Sequence, residues 1–113
     1  MTEVLLAILA LGFLPAGAVK LAGVAGTREN FARWVVPEWS RPVVGAVEIG
    51  IAIAAVAGIL GSEAGTQIAA LLALWVMVGA VVVHAMAGDK IQEVAPAIVL
   101  LVAALLVLVT QET

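Results

Sequence analysis

The sequence predicts an all-α protein: an integral membrane up-down four-helix bundle with a short interfacial helix between helices 1 and 2. Three observations predict it. Of the 113 residues, 65% are hydrophobic and 12% charged, where soluble domains carry roughly 45–50% and about 25%. A water-soluble chain of this length lacks the interior to hide so many Leu, Val, Ile and Ala side chains. Four stretches, at about 4–24, 43–61, 64–88 and 94–111, hold almost no charge, and each is near the ~20 apolar residues that cross a hydrocarbon core. The joints between the second, third and fourth stretches are short, which makes those neighbours antiparallel.

The elements follow in order. The first span runs from Val4 with Lys20 near its end, and Pro15 should kink it. Val4 to Leu14 also has the length of a signal-peptide apolar region, with Ala16-Gly17-Ala18 at cleavage-type spacing. Glu3 precedes it and no Lys or Arg does, so a span is expected instead. The next connection places Phe31, Trp34 and Val35 at i, i+3, i+4 with charges elsewhere, the pattern of a short helix in the headgroup plane, with Trp34 and Trp39 as interfacial anchors. The alternative is an irregular hydrophobic loop. The second span is interrupted only by Glu48, and His84 is the one titratable residue of the third. Pro42 and Pro96 sit near helix starts, where a missing N–H does little harm. Gly88 can end the third helix, and Asp89 with Gln92 three residues on resembles a capping box for the fourth. Residues 1–113 read as one domain, without linker or internal repeat.

Charge sets the expected orientation. Lys20, Arg28, Arg33, Arg41 and Lys90 all fall on the side of the first and third loops, whereas the other side has only Glu3, Glu63 and Glu112. The positive-inside rule then places the basic loops in the cytoplasm and both termini outside a plasma (cell inner) membrane. The net charge of −3 and the lack of a basic run point away from nucleic acid as a partner. There is no cysteine, so disulfides, thiol relays and iron–sulfur ligation are excluded.

Ionisable groups inside a membrane are costly and are the first candidates for a site. Lys20, Glu48 and His84 lie on three helices at similar depth from the basic end, about 9 Å in for Glu48 and about 6 Å for His84 at a helical rise of about 1.5 Å per residue. We read them as one polar cluster, a Lys20–Glu48 ion pair with His84 as a hydrogen-bonding member. A small-residue stripe, Ala46, Gly50, Ala54 and Gly58, lies nearly opposite Glu48, so the packed face and the carboxylate face are expected to differ. The bland alternative is a snorkelling Lys20, a register-fixing Glu48 and a capping His84. One His and one Glu make a poor metal site, so no metal is expected, nor is any nucleophile paired with a base. Trp75 reads as a lipid-facing or packed aromatic.

Three segments resemble a known family. Phe13-Leu14-Pro15-Ala16-Gly17-Ala18-Val19-Lys20-Leu21 is similar to the F-x-x-x-G-x-x-K-L signature of DoxX-like membrane proteins, departing from it at Pro15. Gly45-Ala46-Val47-Glu48 resembles their G-x-x-E segment. His84-Ala85-Met86-Ala87-Gly88-Asp89 resembles the H-x-x-x-G-D ending of the third helix in the branch that includes the animal receptor chaperone NACHO. The resemblance implies a four-helix fold with Lys20, Glu48, His84 and Asp89 as motif positions. It does not imply one activity, since relatives are associated with quinone-linked thiosulfate oxidation, oxidative-stress complexes or receptor assembly. Two functions are therefore expected to compete. One is a non-catalytic membrane subunit or assembly factor, with a membrane-protein partner or a second copy of itself. The other is a site for a quinone-like small hydrophobic molecule serving an oxidoreductase partner. A transporter is disfavoured, because a single small bundle lacks repeated halves and broken helices.

Overall fold

The computed structural model describes residues 1–111. Glu112 and Thr113 lie outside the described residues, including Glu112 as part of the acidic end. The chain forms α1 (Thr2–Ala22), α2 (Ala25–Arg33), α3 (Ser40–Ile59), α4 (Glu63–Ala87) and α5 (Ile91–Thr110), with no strand among the described residues. Four of the helices are long and apolar enough to cross a membrane. Each of the four covers at least 20 residues, enough at about 1.5 Å rise to span roughly 30 Å of hydrocarbon. The protein is a four-helix membrane bundle carrying one short extra helix.

In the ring, α1 packs on α3, α3 on α4, α4 on α5, and α5 back on α1. Its core is built from Phe13, Leu6, Leu9, Ile51 and Val107, filled in by Ala69, Ala70, Ala73 and Ala104. Lipid tails are as apolar as leucine, so membrane helices gain little by hiding leucine from one another and gain more by close van der Waals approach. Alanine and glycine at the contacts allow that approach. The large side chains turn outward instead, among them Leu11, Ile53, Leu60 and Trp75, and a bilayer covers them.

The tightest joint is between α1 and α3. A β-carbon added at Gly17 would stand 2.7 Å from the carbonyl oxygen of Gly45, and one at Gly45 would stand 3.0 Å from the carbonyl oxygen of Gly17. This face of α3 also carries Glu48, Ile51, Ala52 and Ala55. The expectation that the carboxylate lies opposite the packed face is thus corrected. Ala46 and Gly50 face outward, Gly50 with open space around it, while Gly58 meets Thr66 of α4. A stripe read at a spacing of four drifts around the helix, and the contact follows Gly45, Glu48 and Ala52 instead.

Local chemistry explains the ends. Ser62 caps α4 by accepting from the Gly65 N–H at 3.0 Å. Gly88 ends α4 in the left-handed region at φ 71°, where glycine alone pays no β-carbon penalty. The helix α1 runs unbroken through Pro15.

Candidate functional site

The basic end of the bundle holds two charged pairs. Lys20 Nζ stands 2.8 Å from Glu48 Oε1, and the Glu48 side chain is 3% exposed. The ammonium group stands beside Oε1 as its one close partner among the described residues. Two of the sequence segments meet in this one joint: Gly17 lets α1 touch α3 at Gly45, and one turn further Lys20 reaches Glu48. The carbonyl of Lys20, in the last turn of α1, accepts from the Arg41 guanidinium, whose Nε donates to Glu38 Oε1 at 2.9 Å.

The second pair forms around Asp89. The left-handed turn at Gly88 swings the chain so that the Asp89 N–H donates to the carbonyl of His84 at 3.0 Å. The Asp89 carboxylate then folds back, with Oδ2 2.6 Å from His84 Nδ1. The same Oδ2 accepts from the Trp34 indole N–H at 3.0 Å, and Oδ1 accepts from Arg33. Its side chain is 3% exposed. Arg33, with Trp34 and His84 as further donors, holds the Asp89 carboxyl down at about 2, and Asp89 in turn raises Arg33 above its ordinary value. Arg33 also lies 3.6 Å from Glu93 of α5. The rings of Trp34 and His84 meet edge to face at 5.0 Å, and Phe31 leans on Trp34 at 5.4 Å. This network pins α2 to the α4–α5 turn.

Two expectations are corrected here. Lys20, Glu48 and His84 do not form one bonded cluster, because His84 takes Asp89 as its partner. Asp89 does not cap α5 with Gln92: Lys90 stands at the N-cap, and its N–H donates to Glu93 Oε1 at 3.4 Å. A carboxylate that collects a guanidinium, an indole and an imidazole gains more than it would from one backbone N–H, since charge-assisted bonds are roughly twice as strong as neutral ones. Trp34, expected as an interfacial anchor, spends its indole N–H on Asp89, whereas Trp39 is largely exposed at the basic end. In the sequence Arg33 and Arg41 count only among the charges that orient the chain, not among the site residues. The signal for Arg33 was Asp89, the only aspartate in the chain, needing a cation from the same end.

What unites the pairs is a cavity of about 1080 Å³. Lys20 and Glu48 line it from α1 and α3, His84 from α4, and Trp34 from the segment after α2. Apolar side chains including Ile8, Leu11, Val76 and Leu100 line the remainder. The arrangement offers a long apolar space with a carboxylate, an ammonium and an imidazole near one end.

Four apolar helices carrying paired charges inside their basic half define a multi-pass membrane protein. Residues 4–107 match the DoxX-like family model, and the chain belongs to that family. No curated protein and no solved structure matches it.

Proposed function

We propose that this protein binds a small hydrophobic molecule, quinone-like in having an apolar body and a polar head, in the cavity between the Lys20–Glu48 pair and His84. One observation carries the reading: the buried Glu48 carboxylate and its Lys20 partner line a mostly apolar cavity together with His84. Ionisable groups held inside a membrane bundle are costly and mark ligand or substrate sites. A volume near 1000 Å³ suits a drug-sized apolar ligand oriented by a few polar groups. The protein would then serve an oxidoreductase partner by holding its substrate within the bilayer. Organic extraction and native mass spectrometry of protein purified in nanodiscs test this. Wild-type protein should carry an apolar molecule that Glu48→Gln and His84→Ala largely lose, and full retention by both variants would sink the reading.

The second reading is a non-catalytic subunit or assembly factor. It is favoured by the outward face of α3, where Ala46 and Gly50 are exposed and Gly50 has open space for a partner helix. A detergent pull-down should then bring down a membrane protein or a second copy, with Gly50→Leu abolishing it. Recovery of the bare protein alone would count against this role. For either reading we place the basic end in the cytoplasm of a plasma (inner) membrane. A cysteine at Thr2 should label only from outside, and labelling only from the cytoplasm would reverse the orientation.

A further inference from the structure

His84 has a second nitrogen that the Asp89 network leaves unused. Its Nδ1 faces Asp89 Oδ2 at 2.6 Å, and among the described residues no hydrogen bond involves Nε2. His84 is also a wall of the cavity. A carboxylate that stays ionised only accepts. Asp89 is held ionised at neutral pH by Arg33, so the hydrogen between the two residues sits on His84 Nδ1. In the neutral ring Nε2 is then a lone-pair acceptor.

We propose that His84 Nε2 accepts a hydrogen bond from a hydroxyl on the ligand, so that the cavity selects apolar molecules carrying an acidic hydroxyl, of the phenol class, over the same molecules capped as ethers. This rests on the binding reading of the cavity. Asp89 is a positioning residue: it fixes which ring nitrogen carries the hydrogen, and Arg33 and Trp34 fix Asp89. The rest of the lining points the same way. Glu48, a second wall of the cavity, is a carboxylate and so an acceptor, with Lys20 beside its Oε1. Pro96 has no N–H to offer the carbonyl of Gln92, which also lines the cavity. Side-chain donors share the lining too: Lys20, engaged with Glu48 and, at 3.5 Å, with the carbonyl of Ala16, and the amide of Gln92.

The test uses two probes of one shape, 4-decylphenol and its methyl ether 4-decylanisole, titrated calorimetrically into protein in nanodiscs against empty nanodiscs. Wild-type protein should bind the phenol about tenfold more tightly, the value of one buried hydrogen bond to a polar acceptor. In Asp89→Asn the oxygen keeps Arg33 and the amide NH₂ takes the place of Oδ2, where it faces His84 and gives up the bond from the Trp34 indole. It donates to Nδ1, moves the ring hydrogen to Nε2 and turns that acceptor into a donor. The preference should vanish or invert, while His84→Phe should abolish it by weakening the phenol to the level of the ether. A variant that merely loosened the bundle would weaken both probes alike. Equal binding of phenol and ether to wild-type protein, or an unchanged preference in both variants, overturns this inference and leaves the binding reading standing. Binding of neither probe to wild-type protein overturns both.

Discussion

Replacing Lys20 by Met strands a carboxylate in the middle of the α1–α3 joint. Its magnitude follows from the geometry. Opposite charges 2.8 Å apart attract by about 6 kcal/mol at an effective dielectric near 20. Most of that is spent on taking both groups out of water, and the cost of removing one partner of a buried pair is about 3–5 kcal/mol. Glu48, at 3% exposed, has no route to solvent, while the Lys20 side chain at 19% retains one. The two single changes should therefore be unequal: about 3 kcal/mol for Lys20→Met and about 1–2 kcal/mol for Glu48→Gln, whose orphaned ammonium can snorkel to the headgroups. The double variant should lose no more than the milder single one, a coupling of about 3 kcal/mol or more. Unfolding by SDS titration in mixed micelles, followed by circular dichroism on all four proteins, measures the cycle. Losses that add to within about 0.5 kcal/mol would mean that the pair does not couple α1 to α3.

Gly17→Ala forces a β-carbon to within 2.7 Å of a backbone oxygen and 2.9 Å of Ile49, and should cost about 1–3 kcal/mol because a backbone cannot rotate away. Gly50→Ala, with nothing within 4 Å, should gain about 0.5–1 kcal/mol through helix propensity; equal effects in the two variants would refute the close approach. Val35 ends α2 at φ 57°, a left-handed conformation that costs a residue with a β-carbon about 1–2 kcal/mol. After the extra chain entropy of glycine, Val35→Gly should raise stability by about 0.5–1 kcal/mol, and a lowered melting temperature would contradict this. The Asp89 carboxyl is lowered from 3.8 to about 2, so its contribution is complete above about pH 4 and is lost as the pH falls through 2. Protection of the α2 amides in hydrogen exchange should fall across that window in wild-type protein and be flat in Asp89→Asn; an identical fall in both would place the titrating group elsewhere.

The fold was readable because a bilayer imposes a length on every span, and charge-free stretches of that length announce themselves. A short helix stands where one was expected, but it spans Ala25–Arg33 and leaves out Trp34 and Val35, so of the three residues that signalled it only Phe31 lies on the helix. Less legible was the packed face of α3. Spacing by four selects Ala46 and Gly50, yet the ridge that meets α1 follows Gly45, Glu48 and Ala52, and only the position of the neighbouring helix decides between the two.

The candidate site was half legible for a physical reason. Depth can be counted from helix ends, so Lys20 and Glu48 could be matched across two spans, and they stand 2.8 Å apart. Depth says nothing about rotation, and His84 at a similar depth turns to a different partner. What determines that partner is the turn at Gly88, where one left-handed residue returns Asp89 to the last turn of α4. Read as a linear string, Asp89 looks like the start of the next helix. In three dimensions it also draws Arg33 and Trp34 of the first loop onto the third loop. The H-x-x-x-G-D segment is thus a device for fastening a surface helix to the bundle. Its strength rests on Asp89 remaining a carboxylate, and its reach extends to the cavity through the same imidazole that it orients. A substitution at Asp89 therefore acts in two places at once, loosening α2 and resetting His84. Arg33→Gln tests the fastening by itself, because it removes the cation and leaves the carboxylate and the imidazole in place. Hydrogen exchange should then rise in α2, and an unchanged rate would mean that the Asp89–Arg33 pair does not hold the helix.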